Sequence, residues 1–271
     1  MTSGVPRAVP PDASDMLWEN LRELPAFRAL IRAIEGRLIR ELGPLESPLL
    51  DVGCGDGHFG QVVLGGLDAG LDLDLSSLEK ARRRGAYRLL AIASAARIPF
   101  DDASFTTVLA NCALEHMPEL DRVFAEVTRV LRPDGRFLFS VPNDRHNENL
   151  LVARVLESVG LSGVARRYRS WFKRMQVHHH MYTEEEWRRR AEAHGLKVVS
   201  CRPYLSPRAT ALLELGHYYG APNVLNKALF GKWVVLPYRP RFALVERFLA
   251  PYVAEDGVPG SSCFFFVARK A

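Results

Sequence analysis

The chain has 271 residues, 48% of them hydrophobic and 25% charged, with a formal net charge of +5; that composition excludes a largely disordered chain and suits a packed core. The longest apolar runs, such as Cys263 to Ala268, fall far short of the roughly 18 residues of a membrane-spanning helix, and the Pro-rich start lacks the layout of a secretory signal. Cys54, Cys112, Cys201 and Cys263 are widely spaced with no CxxC pair, which argues against a zinc ribbon or a disulfide framework and sets the expectation of a reduced, soluble, cytoplasmic protein.

Residues 1–14 carry three prolines and no apolar period, the pattern of a flexible tail. From Asp15 the spacing of Leu17, Leu21, Leu24, Phe27, Leu30, Ile31, Ile34, Leu38 and Leu42 predicts amphipathic helix, broken at Pro25, over an extension of residues 15–44. Packing against the main domain is the expected role, and a cover over a ligand site the alternative. From residue 45 onward, short apolar runs alternate with helical patterns, the signature of a parallel sheet with crossover helices. Strands are expected at Pro48 to Val52, Ala69 to Leu73, Tyr87 to Ala93, Phe105 to Asn111 and Arg136 to Val141. Between them lie a helix from about Gly57, a second opened by a Ser76-Ser77-Leu78-Glu79 capping box and closed at Gly85, and a third from Pro118 to Leu131. Pro133-Asp134-Gly135 reads as a turn. After Pro142 the beat is lost in a helical insertion of about 143–180. A Thr183–Glu186 capping box starts another helix, Leu196 to Cys201 is a strand, about 204–260 is a second helical insertion, and Ser262 to Arg269 closes the chain as a strand.

The insertions carry the positive charge. Residues 143–180 hold seven Lys/Arg against three acids, and 204–260 hold six against four, so an anionic substrate or surface near them is one reading and solvated helix faces the other.

The chemistry concentrates in Leu49-Leu50-Asp51-Val52-Gly53-Cys54-Gly55-Asp56-Gly57-His58-Phe59-Gly60. A strand ends in an acid and a Gly-rich turn leads into a helix, so the backbone can turn sharply and meet a ligand with no side chain in the way. Gly55-x-Gly57-x-x-Gly60 also matches the dinucleotide pattern, which alone is weak. Charge separates the two ligands: Asp51 would repel a pyrophosphate, whereas it suits a ligand bearing ammonium and sulfonium groups, whose single carboxylate could use the helix start.

Around this motif, LLDVGCGDGHFG (49–60), GLDLDLSSLEKAR (70–82), ARIPFDDASFTTVLANCALEHM (96–117) and VLRPDGRFLFSVPN (130–143), extended by HHHMYTEEEWRRRAEAHGLKVV (178–199), resemble in order the class I S-adenosylmethionine-dependent methyltransferases of the small-molecule branch. The resemblance covers about 48–142. It implies a doubly wound Rossmann-like α/β sheet with the last strand antiparallel, here within a domain of residues 45–271. It also implies that Asp51, Gly53, Cys54 and Gly55 line the methionine end of the cofactor, that Asp72 (with Asp74 the neighbouring alternative) accepts from the ribose hydroxyls beside Leu73, and that Asn111 lies near the transferring methyl. Ser94, followed by Ala95, stands where the family commonly places an adenine-binding Asp, and Thr106 where it often has another Asp.

A general base is needed only if the acceptor must lose a proton. His116, after the fourth strand, is the first candidate and His146, past the fifth, the second. His178-His179-His180 cannot all face one ion from an extended segment, so no metal site is expected. The expected acceptor is a metabolite, sugar or lipid-like small molecule, with nucleic acid disfavoured by the absence of a long Lys/Arg run. The segment Ala228 to Val235 could dock on a membrane surface. The rivals are an NAD-dependent oxidoreductase and a non-catalytic cofactor-binding or scaffolding protein. Oligomeric state is left open.

Overall fold

The structure, a computed structural model, describes residues 13–271, so nearly all of the tail expected at 1–14 lies outside the described residues. Two helices come first, α1 (Ala13–Leu21) and α2 (Ala26–Arg40), separated at Pro25, whose missing N–H suits a helix start. The sheet and its crossovers follow: β1 (Leu49–Val52), α3 (His58–Leu64), β2 (Leu67–Asp72), α4 (Leu75–Arg84), β3 (Tyr87–Ile92), β4 (Phe105–Asn111), a 3-10 turn at Leu114–His116, α5 (Leu120–Val130) and β5 (Leu131–Pro142). The first insertion forms α6 (Leu151–Ser158) and α7 (Ser162–Gln176). Then come α8 (Glu184–Ala193), β6 (Leu196–Tyr204), the second insertion's α9 (Pro207–Tyr219), α10 (Ala221–Phe230) and α11 (Arg239–Ala254), and finally β7 (Cys263–Lys270).

The seven strands lie in the order β3-β2-β1-β4-β5-β7-β6. The first five are parallel, and β7 runs antiparallel to both β5 and β6. The winding reverses between β1 and β4, and a crevice opens there beyond the strand ends, where open α/β sheets bind ligands. Met16, Leu21, Leu30, Ile34 and Leu38 of the first two helices are fully buried in one core layer with Leu49, Val63, Leu138, Phe265 and Val253. On the opposite face Phe124 of α5 and Trp187 of α8 pack on Phe137, Phe139 and Phe266. Burying such side chains contributes about 1.5–3 kcal/mol each, so α2 is integral to the fold as well as covering it.

Three local expectations are revised. The cap of α4 is Asp74, which accepts from the backbone N–H groups of Ser76 and Ser77; a carboxylate two residues upstream displaces the predicted Ser76 box and occupies the residue proposed as an alternative ribose ligand. The Pro133–Gly135 turn is a bulge inside one long strand, with Asp134 at φ 59° and the pairing jumping from Phe105–Leu131 to Thr107–Arg136. Helix α5 begins two residues after Pro118, because 114–116 form a separate turn. The Thr183–Glu186 box is present with both reciprocal bonds.

Candidate active site

The turn after β1 is held from below. The N–H groups of Gly53 and Cys54 donate to the Leu71 carbonyl, and Gly55 N–H donates to Asp72 Oδ2 at 2.8 Å, while Asp72 Oδ1 accepts from Asp74 N–H at 2.9 Å. Each Asp72 oxygen keeps a second lone pair for a ligand. At Gly55, φ is +53° and a Cβ would meet nothing within 4 Å, so the missing side chain leaves open space above the turn. Asp51 is buried and accepts from Tyr87 O–H at 2.7 Å; burial, with Asp72 adding to it, pushes its carboxyl up to about 6. A cationic ligand would relieve that cost and an anionic one would raise it.

A cleft of about 340 Å³ lies over this turn, bordered by Asp51, Gly53, Cys54, Gly55, Asn111 and Cys112. Asp72, Leu73, Ser94 and Ala95 sit outside its lining, along the ends of β2 and β3. Leu73 is 71% exposed there, Ser94 Oγ accepts from Ala96 N–H at 3.2 Å, and the Ala95 methyl points into the core. The Cys54 thiol packs down against Gly70, leaving its backbone to face the cleft. The start of α3 is less available to a carboxylate than expected, because Asp56 already accepts from His58 N–H.

Sequence reading missed the main contribution of α2. Arg28, Arg32 and Glu35 fall on one helix face and project to the crevice. Glu35 is fully buried and accepts from Arg32 Nη1 at 2.6 Å, Asn111 Nδ2 at 2.7 Å, Tyr204 O–H at 2.8 Å and Cys112 Sγ at 2.9 Å. Burial works against the charge of Arg32, and Glu35 more than offsets it. Asn111 is thereby fixed at both ends, its Oδ1 accepting from Ser140 Oγ at 2.8 Å. The available signal was an acid set between Ile31, Ile34 and Leu38 on the apolar stripe. Arg28 borders the cleft with no carboxylate in ion-pair range among the described residues.

A second cavity, of about 560 Å³, adjoins the first and shares Arg28, Arg32, Cys112 and Trp233 with it. Phe27, Ile31, Met175, Leu213 and Val224 form its apolar side; Glu115, His116, His146, His178 and His217 form the polar one. Both predicted base candidates therefore reach one chamber. His116 pairs Nδ1 with the Val177 carbonyl at 3.0 Å, and its Nε2 lies 3.8 Å from Glu115 Oε1. Burial leaves His146 with both ring nitrogens unpartnered and pushes it down to about 4. Glu115 is raised to about 8, also by burial, and His178 is lowered to about 3 by burial and the neighbouring imidazoles. The three adjacent histidines separate: His178 faces the cavity, whereas His180 is held by the Met117 carbonyl and Tyr182 O–H.

Comparison with known proteins agrees with this geometry. Residues 50–139 match the methyltransferase domain family model. A malonyl-[acyl-carrier protein] O-methyltransferase from Methylococcus capsulatus is 35% identical over 109 residues, 38% of this chain and 40% of that protein. The 27-O-demethylrifamycin SV methyltransferase of Amycolatopsis mediterranei is 36% identical over 144 residues, 46% of this chain and 52% of that one. The chain thus spans about half or less of the length of these relatives. Geranyl diphosphate C-methyltransferase from Streptomyces coelicolor superposes with a TM-score of 0.53 at 16% identity, covering 88% of this chain and 75% of that chain, a likeness of fold. With the strand order and the open Gly55 turn, the match over residues 50–139 makes the sheet and its crevice similar to those of the S-adenosylmethionine-dependent methyltransferases.

Proposed function

We propose that the protein transfers a methyl group from S-adenosylmethionine to an amphipathic small molecule carrying an anionic group. The observation that carries this reading is the pair of adjoining cavities, one over the glycine turn and one lined by an apolar wall and imidazoles, joined at Arg28, Arg32, Cys112 and Trp233. Bound over the turn, the cofactor supplies an electrophilic methyl on a sulfonium, open to in-line attack. In this reading Asp51 sits opposite its ammonium, Asp72 accepts from the ribose hydroxyls, and Leu73, Ser94 and Ala95 border the adenine. Lys80 and Lys227, which edge the same cleft, take the place of the helix start in meeting its carboxylate. Asn111, locked by Glu35 and Ser140, fixes the wall beside the methyl.

Arg28 binds the acceptor's anionic group, and Phe27, Ile31, Leu213 and Val224 exclude water from its apolar part. Where the accepting atom is a hydroxyl, His116 Nε2 is the group placed to take its proton, with His146 second. A buried, unneutralised Asp51 disfavours a pyrophosphate and hence the oxidoreductase rival. Incubation with labelled S-adenosylmethionine and a panel of amphipathic acids and their neutral esters tests the reading. Label on the acids at the expense of the esters supports it; cofactor binding with no transfer to any acceptor supports the non-catalytic rival.

No helix among the described residues is long and apolar enough to cross a membrane. A peripheral contact from the cytoplasm remains our proposal for the second insertion. Leu225, Leu229, Phe230, Leu236, Leu244 and Phe248 are each more than half exposed, in a stretch (221–250) with five bases and one acid.

A further inference from the structure

The inner wall of the second cavity brings together Glu115, His116 and His178, from two segments more than sixty residues apart. One donor atom from each lies within 4.8 Å of the others. We propose that these three side chains form a binding site for a divalent first-row transition metal, whose open positions hold an oxygen-donor acceptor in front of the transferring methyl. The inference rests on the methyltransferase reading for that last clause, and on the cluster alone for the metal.

Three features separate the cluster from a chance meeting of polar groups. Glu115 is 2% exposed, yet its Oε2 has no hydrogen-bond partner; the buried Nδ1 of His178 has none either. Buried polar atoms are rarely left so, and an unfilled ligand set is one of the few structural reasons. Secondly, His116 is oriented as metal-binding histidines are. With its Nδ1–H donated to the Val177 carbonyl, the Nε2 lone pair is left for a cation and the ring is fixed by a backbone group. Thirdly, the two segments are clamped. The Glu115 carbonyl accepts from the backbone N–H groups of His179 at 2.8 Å and His180 at 3.3 Å, which holds His178 beside the carboxylate.

Three donors about 2.1 Å from one tetrahedral cation lie about 3.4 Å from each other, so the three groups, now within 4.8 Å of one another, close by up to about 1.4 Å, shared between two side chains, to complete the set. Two imidazoles and one carboxylate suit zinc, cobalt, iron(II) or manganese better than magnesium, which prefers all-oxygen sites with several waters. Three protein ligands leave further positions open to the cavity. An acceptor that offers an oxygen pair there, such as a vicinal diol or a hydroxy acid, would be held by the cation at one end and by Arg28 at the other. Coordination lowers the affinity of a hydroxyl oxygen for its proton; with the His116 lone pair given to the metal, the proton passes to His146, the second base candidate in the same cavity, in place of His116. Of the three adjacent histidines only His178 takes part; its partners come from the turn after β4.

The test uses tag-free protein freed of metal with a chelator and titrated with Co2+, followed by visible ligand-field absorption and calorimetry. The expected result is one saturable site per chain, weakened at least about tenfold in Glu115→Gln and in His178→Ala and unchanged in His179→Ala. Absence of saturable binding, or equal binding in the first two variants and the wild type, overturns the site. S-adenosylhomocysteine is titrated in parallel on all four proteins. Homocysteine-ligand binding without a Co2+ site removes the metal and leaves methyl transfer standing; a Co2+ site without that binding keeps the metal and removes its stated role. Retained S-adenosylhomocysteine affinity in Glu115→Gln, a near-isosteric change, shows that the loss of metal is local.

Discussion

Replacing Glu35 with alanine probes how the N-terminal helices are tied to the crevice over the glycine turn. The Glu35 carboxylate is fully buried and receives four donors, from Arg32, Asn111, Cys112 and Tyr204, at 2.6–2.9 Å. Its removal leaves the Arg32 guanidinium, 21% exposed, without its counter-charge, and strands an amide and a phenol. Breaking one partner of a buried ion pair costs about 3–5 kcal/mol, and we expect Glu35→Ala to fall in that range. Glu35→Gln should cost less, because its amide oxygen still serves one pair of donors. A double-mutant cycle with Arg32→Met measures the coupling: Arg32→Met alone leaves a buried carboxylate, so the double mutant should lose at least about 1 kcal/mol less than the sum of the single losses. Urea denaturation supplies the free energies. A loss below about 1 kcal/mol for Glu35→Ala, or strict additivity in the cycle, refutes the view that this carboxylate is the anchor of α2.

Arg28→Ala should raise the KM for an anionic acceptor about tenfold or more while leaving that for its neutral ester unchanged, as steady-state kinetics on the pair will read. Glu115, raised to about 8, keeps its proton in the folded metal-free protein; its contribution is complete below about 4.5 and is lost as pH rises through 8. His146, lowered to about 4, contributes in the opposite sense, fully above about 6.5 and progressively less as pH falls through 4. Between pH 6.5 and 8 the Glu115 effect stands clear, so wild-type stability in chelator should decline there by up to about 1.4 kcal/mol per pH unit, a decline that Glu115→Gln removes in thermal melts. The paired change Leu229→Asp and Phe230→Asp should abolish co-sedimentation with anionic lipid vesicles without altering S-adenosylhomocysteine binding; equal sedimentation of variant and wild type would sink the membrane contact.

What could be read in the sequence was what short range controls. The β1 run into Gly53–Gly57, the five parallel strands, the Pro25 break and the Thr183 box follow from apolar period and local capping. Ser76 misled because two capping patterns overlap, and the carboxylate of Asp74 is the stronger acceptor. The Pro133–Gly135 turn misled because a bulge keeps a strand going through turn-forming residues. The site itself was half legible. Asp51, Gly53, Gly55 and Asn111 sit at strand ends that the topology brings together, whereas Glu35 acts on Asn111 across 76 positions, and His178 meets Glu115 only because the first insertion folds back. No local pattern encodes such meetings.

Calorimetry of wild type and Asp72→Ala with S-adenosylhomocysteine and with NAD addresses the cofactor crevice most directly. We expect one S-adenosylhomocysteine per chain, weakened by about 1–3 kcal/mol when the Asp72 acceptor is removed, and no measurable NAD binding. Tight NAD binding, or S-adenosylhomocysteine affinity indifferent to Asp72, would contradict that expectation.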